Sequence, residues 1–476
     1  MTVRKPLLIA APFLGVAFLA GCTVGPDFKR PAPPAAAAYL APGEKADAAA
    51  ASGTAPIRWW TAFGSPEIDA LVDRALANNK SLAASNATLA KAYEQWRAIR
   101  GQQLPQVDAS TRLDQQEINF AAYGFSGTNP EFALYSVGGT ASYDLDLFGR
   151  RRRQTEQAAA QAESQQRQTE AAHLTIAGQV VTQAITIAAI NSRIATVQTL
   201  IADDQKNVDL TDKRRRAGEG TLVQVLTAQS QLADDQTALP ALRQQLSQAT
   251  HMLALLVGEA PADFTAPKLT LADLALPAAI PVSLPSELVH RRPDILQAEA
   301  DLHSATAAIG IAQARMYPDI TLGATLTQGS PHLGDILKSS FRGYDLFAGL
   351  TAPIFHGGTL KAERNEAIDE AKASDARYQQ AVLSAFQQVA DLLTALQHDR
   401  DTLAANRQAI KVAGHALQLS RRSFEVGNSG VLDIVDAQRV YQRALSASVE
   451  ASARQYLDSA SLFVATAGGW TGVPAR

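Results

Sequence analysis

Cysteine and histidine side chains most often perform or support chemistry in proteins, and this chain uses them sparingly. The single cysteine is Cys22, so the sequence excludes an internal disulfide framework and any cysteine-ligated zinc or iron–sulfur site. The eight histidines show no paired metal-ligand spacing, and the sequence contains no P-loop, GxSxG or dinucleotide-binding signature. These observations predict that the protein is not an enzyme and carries no cofactor.

Cys22 has a chemical setting of its own at the end of an N-terminal apolar segment. Two basic residues precede the apolar stretch 6–20, which is too short to cross a bilayer comfortably and is typical of an export signal. It ends in Leu19-Ala20-Gly21-Cys22, which resembles a bacterial lipobox, where cleavage leaves an acylated Cys22 as the first residue. Several acyl chains anchor stably, since each buried methylene contributes about 0.8 kcal/mol. The alternative is an ordinary secretory signal with a chance cysteine.

The composition of the whole chain favours long helices and argues against a nucleic-acid partner. The 476 residues include 43 Lys+Arg and 46 Asp+Glu, a formal charge of −3, so there is no excess of positive charge to neutralise phosphates. Aromatic residues make up only 6% and alanine and glutamine are abundant, which favours helices over a β-sandwich. Residues 23 to about 57 are rich in proline and alanine and predict an extended tether or a segment that wraps around the protein.

An internal repeat organises the rest of the chain. Residues 214–229, RRRAGEGTLVQVLTAQ, match residues 423–438, SFEVGNSGVLDIVDAQ, at an offset of 209 residues. Upstream, Leu104-Pro105 corresponds to Tyr317-Pro318. The sequence therefore contains two copies of one unit, joined by a proline-rich connector.

Each copy contains segments that predict very long helices. No proline occurs between Pro130 and Pro240 or between Pro353 and Pro474. A seven-residue apolar period predicts left-handed coiled-coil packing, and helices over about 150–216 and 358–426 would each be roughly 100 Å long. This length suits a tube, although a cytosolic helical bundle satisfies the same period. The three periodic series are Val180, Ile187, Ile194, Ile201, Val208; Val382, Val389, Leu396, Leu403, Ile410, Leu417, Phe424; and Val225, Leu232, Leu239, Leu246, Leu253.

Shorter segments with a period of two predict two β-hairpins, in regions 105–147 and 318–355. Apolar and polar residues alternate over 107–113, 135–147, 320–327 and 344–355, in runs of roughly ten residues typical of transmembrane strands. Four strands cannot close a barrel, and an open edge in lipid leaves backbone groups without partners. The chain must therefore oligomerise if the strands enter a membrane, as a dimer of eight strands or a trimer of twelve. Soluble hairpins packed on the helices are the alternative.

In their order and spacing these motifs resemble the outer membrane factor family, the TolC and OprM-type lipoprotein channels of multidrug efflux systems. The resemblance covers nearly the whole mature chain and rests on four marks. These are Cys22-Thr23-Val24-Gly25-Pro26-Asp27-Phe28, Trp59-Trp60 with Phe63, the segment Pro285 to Pro293 with Asp294, and the paired glycine turns of the repeat.

The family resemblance implies an architecture and a set of partners. It implies a mainly helical homotrimer with a twelve-stranded barrel in the outer membrane of a Gram-negative bacterium and a twelve-helix periplasmic tunnel. It also implies docking to a periplasmic adaptor and an inner-membrane transporter, with the resistance–nodulation–division type favoured. The expected function is a passive exit duct whose cargo the sequence does not reveal. A lipid-anchored coiled-coil adaptor or scaffold is the rival interpretation.

Functional residues transfer from the family to the two turns of the repeat. The adaptor-contacting tips correspond to Gly218, Gly220, Thr221, Leu222, Gly427, Gly430 and Val431. The closed gate corresponds to Leu432, Asp433 and Asp436. The glycines also fit simple helix caps, and Asp436 also fits a solvated carboxylate. Where some family members carry a latch arginine this chain has Ser423, whose side chain carries no charge for a latch salt bridge.

The predicted organisation places every segment of the chain. The run Arg150–Arg153 is assigned to the periplasmic rim of the barrel rather than to nucleic-acid binding. The predicted segments are a signal peptide (1–21), a lipid-anchored tether (22–65), repeat 1 (66–258, tip turn about 217–222), an equatorial connector (259–285), repeat 2 (286–466, tip turn about 426–431) and a tail (467–476).

Overall fold

The computed structural model describes residues 23–32, 38–44, 50–53, 55–119, 124, 126 and 131–466. The predicted signal peptide, Cys22 and the predicted tail lie outside the described residues. The chain divides into two compact units: unit 1 comprises residues 1–31, 90–165 and 298–378, and unit 2 comprises residues 32–89, 166–297 and 379–476.

The elements of the described chain confirm the predicted combination of very long helices with four longer strands. The two longest helices each have 67 residues. In chain order the elements are β1 (Ala50–Ser52), α1 (Pro66–Asn78), α2 (Lys80–Gly101), β2 (Gln106–Glu117), β3 (Glu131–Leu145), α3 (Arg150–Arg216), α4 (Leu222–Val257), β4 (Ile280–Val282), α5 (Pro285–Leu288), α6 (Pro293–Ala314), β5 (Asp319–Ser330), β6 (Arg342–Thr351), α7 (Thr359–Glu425) and α8 (Val431–Thr466).

Unit 1 contains an antiparallel sheet with the strand order β2-β3-β5-β6. Its register places apolar residues opposite one another: Leu326 faces Tyr344, and Ala324 faces Leu346. Tyr344 and Leu346 are 78% and 71% exposed, so this face of the sheet is apolar and uncovered, whereas the alternate positions are rich in threonine, serine and aspartate. Strands β3 and β6 end at Leu145 and Thr351, earlier than the predicted runs to 147 and 355.

The four consecutive arginines at the start of α3 bind carboxylates in unit 1. Arg150 pairs with Asp319 at the start of β5, Arg151 pairs with Asp144 near the end of β3 at 2.5 Å, and Arg152 pairs with Asp146 at 3.3 Å. These ion pairs join the first turn of α3 to the strand ends.

Arg153 instead holds the N-terminal segment 23–32. Its side chain is only 4% exposed and pairs with Asp27 and Glu156, each at 2.7 Å. It also donates to the carbonyl oxygens of Val24 and Gly25 at 3.3 and 3.2 Å. This part of the predicted tether is therefore bound to the protein by specific contacts.

A close glycine contact reinforces the same segment. Gly25 has a φ of +90°, and a Cβ built on it would lie 2.5 Å from the Cα of Gly310 in α6. Nearby, the ring of Phe28 stacks on that of His303 with centroids 4.4 Å apart. Only glycine combines this backbone conformation with so close an approach.

Unit 2 has an aromatic core at its N-terminal side. Trp59 and Phe63, which form one of the marks of the family resemblance, are 1% and 0% exposed. The ring of Trp59 stacks on that of Phe463 in α8 at 5.5 Å. Strands β1 and β4 form a separate parallel pair in this unit, and the hydroxyl of Tyr456 donates to the carbonyl oxygen of Leu274 at 2.8 Å.

The heptad positions predicted from the sequence form much of the helical core of unit 2. Val180, Val389 and Leu253 are each fully buried. Helix α3 includes an 18-residue window apolar enough to cross a membrane, but 61% of that window is buried inside the protein. Helix α4 continues through Pro240. Below, hairpin 1 denotes α3 with α4, and hairpin 2 denotes α7 with α8.

Candidate functional site

The first tip turn connects α3 to α4. Helix α3 ends at Arg216 and Gly218 adopts a φ of +80°, a left-handed conformation that favours glycine. Thr221 caps α4: its hydroxyl accepts from the backbone N–H of Gln224 at 3.3 Å, and the Gln224 side chain accepts from the N–H of Thr221 at 3.0 Å. Leu222 is the first residue of α4 and is 60% exposed.

The second tip turn connects α7 to α8 in the same manner. Gly427 has a φ of +81°, and the N–H of Gly430 donates to the carboxylate of Asp433 at 2.9 Å. Asp433 therefore caps the N-terminus of α8. Val431 is only 3% exposed and packs in an apolar cluster with Phe424 and its neighbours, so its side chain supports the turn from inside.

The residues predicted to form the gate share one exposed side of α8. Leu432 is 61% exposed, and Asp433 and Asp436 are also exposed. Between them Ile434 and Val435 are buried, at 2% and 6% exposure. Helix α8 thus turns an apolar side inward and holds Leu432 and Asp436, four residues apart, on its outer side.

A contact near the tips joins the two hairpins. The guanidinium of Arg214 in α3 lies 4.1 Å from the ring centroid of Phe424 in α7. The same side chain donates to the carbonyl oxygen of Glu425 at 3.2 Å. Arg214 therefore binds the C-terminal turn of α7 through both a cation–π contact and a hydrogen bond.

Further from the tips, an ion pair joins α3 and α7. Arg421 lies 3.2 Å from the carboxylate of Asp203, and both groups are about one third exposed. The sequence drew attention to position 423, which is a serine, but the α7 arginine that reaches hairpin 1 is Arg421. The pairing depends on how α7 packs on α3, which the sequence of α7 alone does not reveal.

Gln438 in α8 forms hydrogen bonds with both hairpins. It is 1% exposed, and its amide nitrogen donates to the carboxylate of Asp204. Its amide oxygen accepts from Asn207 at 2.9 Å and from Arg421 at 3.4 Å. Gln438 therefore contacts two residues of α3 and one residue of α7. It follows Asp436 by two residues in the sequence of α8.

Two buried carboxyl groups complete the same region. Asp204 in α3 is 2% exposed and Asp235 in α4 is 6% exposed. The pKa of Asp204 is raised to about 8, chiefly by burial of its carboxyl group. The hydrogen bond with Asp235 and the negative charge of Asp235 act in the same direction. Asp235 accepts from Gln231 at 3.1 Å and from Gln442 of α8.

We call this set of side chains the inter-hairpin cluster. The cluster was not predicted from the sequence, although one signal of it is present: Asp204 and Asp235 both occupy core positions of the heptads, three residues after Ile201 and Leu232. A third heptad carboxyl, Asp399, has its pKa raised to about 6 by burial and by the neighbouring Asp458. Among the described residues, no group of three or more histidines, cysteines or acidic residues is arranged to hold a metal ion. The cluster consists of Asp203, Asp204, Asn207, Gln231, Asp235, Arg421, Gln438, Arg439 and Gln442.

The fold and these turns define an outer-membrane efflux channel, and comparison with known proteins agrees. The model of the family described as outer membrane efflux protein matches residues 71–259 and 284–468. The chain belongs to this family. The family, fold and outer-membrane channel function expected from the sequence are therefore confirmed, and the adaptor or scaffold interpretation is not supported.

Relatives of known role extend over nearly the whole chain. The pyoverdine export outer membrane protein OpmQ of Pseudomonas aeruginosa is 30% identical over 476 residues, covering 99% of this chain and 98% of the relative. The cation efflux system protein CusC of Escherichia coli is 26% identical over 467 residues, covering 96% and 98%.

Solved structures show the same fold. The outer-membrane channel OprN superposes with a TM-score of 0.87 at 26% identity, covering 94% of this chain and all of that one. The open state of the MtrE channel of Neisseria gonorrhoeae gives a TM-score of 0.82 at 27% identity, covering 94% and 98%.

Proposed function

We propose that this protein is the exit duct of a tripartite efflux pump and works as a homotrimer. The observation that carries the proposal is the four-stranded sheet of unit 1, whose apolar face is uncovered and whose outer strands β2 and β6 each pair with only one described strand. In lipid, unpaired backbone groups cost several kcal/mol each. Three chains supply twelve strands, enough to close a barrel.

The tips and the gate have separate roles in this proposal. The turns with Gly218, Gly220, Thr221 and Leu222, and with Gly427 and Gly430, receive the periplasmic adaptor. Their support is the glycine backbone at each turn, which lets a partner backbone approach closely. Val431, which the sequence also placed among these contacts, is buried and supports the second turn from inside. The gate is formed by Leu432 and Asp436, with Asp433 at its rim, because these residues lie on the exposed side of α8. Apolar rings gate by dewetting, and acidic rings select cations.

The remaining assignments concern anchoring, partners and chemistry. Cys22 carries lipid and holds the N-terminus at the membrane, which the Arg153 contacts to segment 23–32 complement. The partners are an adaptor and an inner-membrane transporter of the resistance–nodulation–division type, and the transporter supplies the energy. The duct itself catalyses no reaction and needs no cofactor. Its cargo is an exported small molecule, a class that for relatives includes pyoverdine and cations.

The proposal is tested by reconstitution and by deletion. Purified protein in planar bilayers should produce discrete conductance steps, and a deletion strain should become more susceptible to several toxic compounds. The adaptor and transporter should co-purify with the wild-type protein. Metabolic labelling with palmitate should mark the wild type and not Cys22→Ser. Bilayers without conductance, together with unchanged susceptibility, would refute the exit duct.

A further inference from the structure

We propose that Asp204 and Asp235 share one proton, and that this protonated pair holds α8 against hairpin 1 so that the closed gate depends on the proton. This inference rests on the proposed function, because the gate it concerns is part of that proposal. Its starting point is that two carboxyl groups on adjacent helices are both buried with donors aimed at them from α8.

The hydrogen bonds leave one carboxyl oxygen without a donor. Oδ1 of Asp204 accepts from Gln438, but Oδ2 is buried and accepts from no donor in the described part of the chain. A buried acceptor without a partner is costly. If one carboxyl carries a proton, the O–H of one acid donates to the other, so the hydrogen bond removes this deficit and the charge repulsion together.

The surrounding charges do not offer another counter-ion to the pair. From α3, Asp203 adds negative charge next to Asp204 and is itself paired with Lys206 at 3.0 Å. From α7, Arg421 binds Asp203 and the oxygen of Gln438. From α8, Arg439 donates to the oxygen of Gln231 at 2.9 Å. Neither arginine donates a hydrogen bond to Asp204 or Asp235, so a proton is the remaining means of neutralisation.

The repeat supplies an internal comparison. At the offset of 209 residues, Asp204 and Asp235 correspond to Ala413 and Ala444 of hairpin 2. Both alanines are buried, at 5% and 8% exposure. The same position in the other hairpin is therefore filled by apolar residues, which shows that packing alone does not require carboxyl groups there. The carboxyl pair serves the contacts with α8.

The direction of the pH effect follows from the pair. The proton binds more tightly in the closed arrangement than in an open, hydrated one, so closure is favoured at low pH and weakens as pH rises toward about 8. Loss of the proton to water leaves two buried carboxylates that repel each other across α3 and α4. When the two carboxylates move apart, their hydrogen bonds to Gln438 and Gln442 weaken. These bonds hold α8 in place, and α8 carries the gate residues Leu432 and Asp436.

The test is the closed-state leak of the full-length channel in planar bilayers between about pH 7 and pH 9.5. The deprotonated fraction of a group that titrates near pH 8 rises about tenfold over this interval, so the wild-type leak should rise by up to about tenfold. Asp204→Asn supplies an amide that mimics the protonated acid, and Asp204→Ala with Asp235→Ala reproduces the alanines of hairpin 2. Both variants should lose the rise with pH.

A matched control and a second readout keep the test decisive. Asp234→Asn removes an exposed carboxylate adjacent to Asp235 and should keep the wild-type pH response. Infrared difference spectra at pH 7 should show a protonated carboxyl band in the wild type that Asp204→Asn lacks. A leak independent of pH, an unchanged rise in both cluster variants, or no such band would overturn the proton pair. Absence of any conductance would instead refute the exit duct.

Discussion

The guanidinium of Arg421 in α7 lies 3.2 Å from the carboxylate of Asp203 in α3. This ion pair connects hairpin 2, which carries the proposed gate, to hairpin 1. Arg421 lies two residues before Ser423, the position at which some members of the family carry a latch arginine. The Arg421–Asp203 ion pair therefore provides a latch between the two hairpins of one chain, and its arginine stands at position 421 of α7 rather than at position 423.

Arg421→Ala should weaken closure of the gate. Because both partners are about one third exposed, the pair contributes roughly 1 kcal/mol, and the closed-state leak should rise about fivefold. A double-mutant cycle with Asp203→Ala, measured by conductance in bilayers, checks this. Additive effects of the two substitutions would contradict the latch, whereas a double variant no leakier than either single one supports it.

Leu432→Ala and Asp436→Ala should each make the closed channel leakier, because each removes part of the ring proposed to block the pore. The measurement is basal conductance, with uptake of a large antibiotic by cells as a second readout. Val223→Ala is the matched control, since Val223 is the repeat counterpart of Leu432 and is 71% exposed. The gate assignment is wrong if the Val223 and Leu432 variants leak equally.

Arg153→Ala should release the N-terminal segment 23–32. The substitution removes the charge-assisted hydrogen bond to Asp27 and the bonds to the carbonyl oxygens of Val24 and Gly25, a loss of about 2 kcal/mol in holding the segment. Limited proteolysis should then cut within this segment faster than in the wild type. Arg97→Ala removes an exposed ion pair with Glu94 and should leave the cleavage rate unchanged; equal protection of both variants would count against the Arg153 anchor.

Neighbouring residues of β6 test which face of the sheet meets lipid. Leu346→Arg places a charge on the uncovered apolar face, which costs about 2–4 kcal/mol near the middle of a bilayer. Asp345→Arg places the same charge on the opposite face of the strand. The first variant should assemble poorly in the outer membrane and the second normally, as judged by the yield of SDS-resistant oligomer. Equal yields would contradict the assigned faces.

The sequence predicted the elements well because their signals are local. Proline-free stretches and the seven-residue series ending at Val208 and Phe424 predicted α3 and α7, and the alternation of 320–327 predicted β5. The inter-hairpin cluster was missed because Gln438, Arg421 and Asp204 meet only through packing between hairpins. The role of Val431 as a buried support rather than an exposed contact likewise depends on tertiary packing.

The central claim is that each chain supplies four strands to a barrel that only several chains can close. Native mass spectrometry of the protein extracted by detergent from the outer-membrane fraction tests it most directly. We predict one dominant species with the mass of three processed chains, twelve strands in all. A single chain of about 50 kDa that leaves the membrane with carbonate and without detergent would contradict the account.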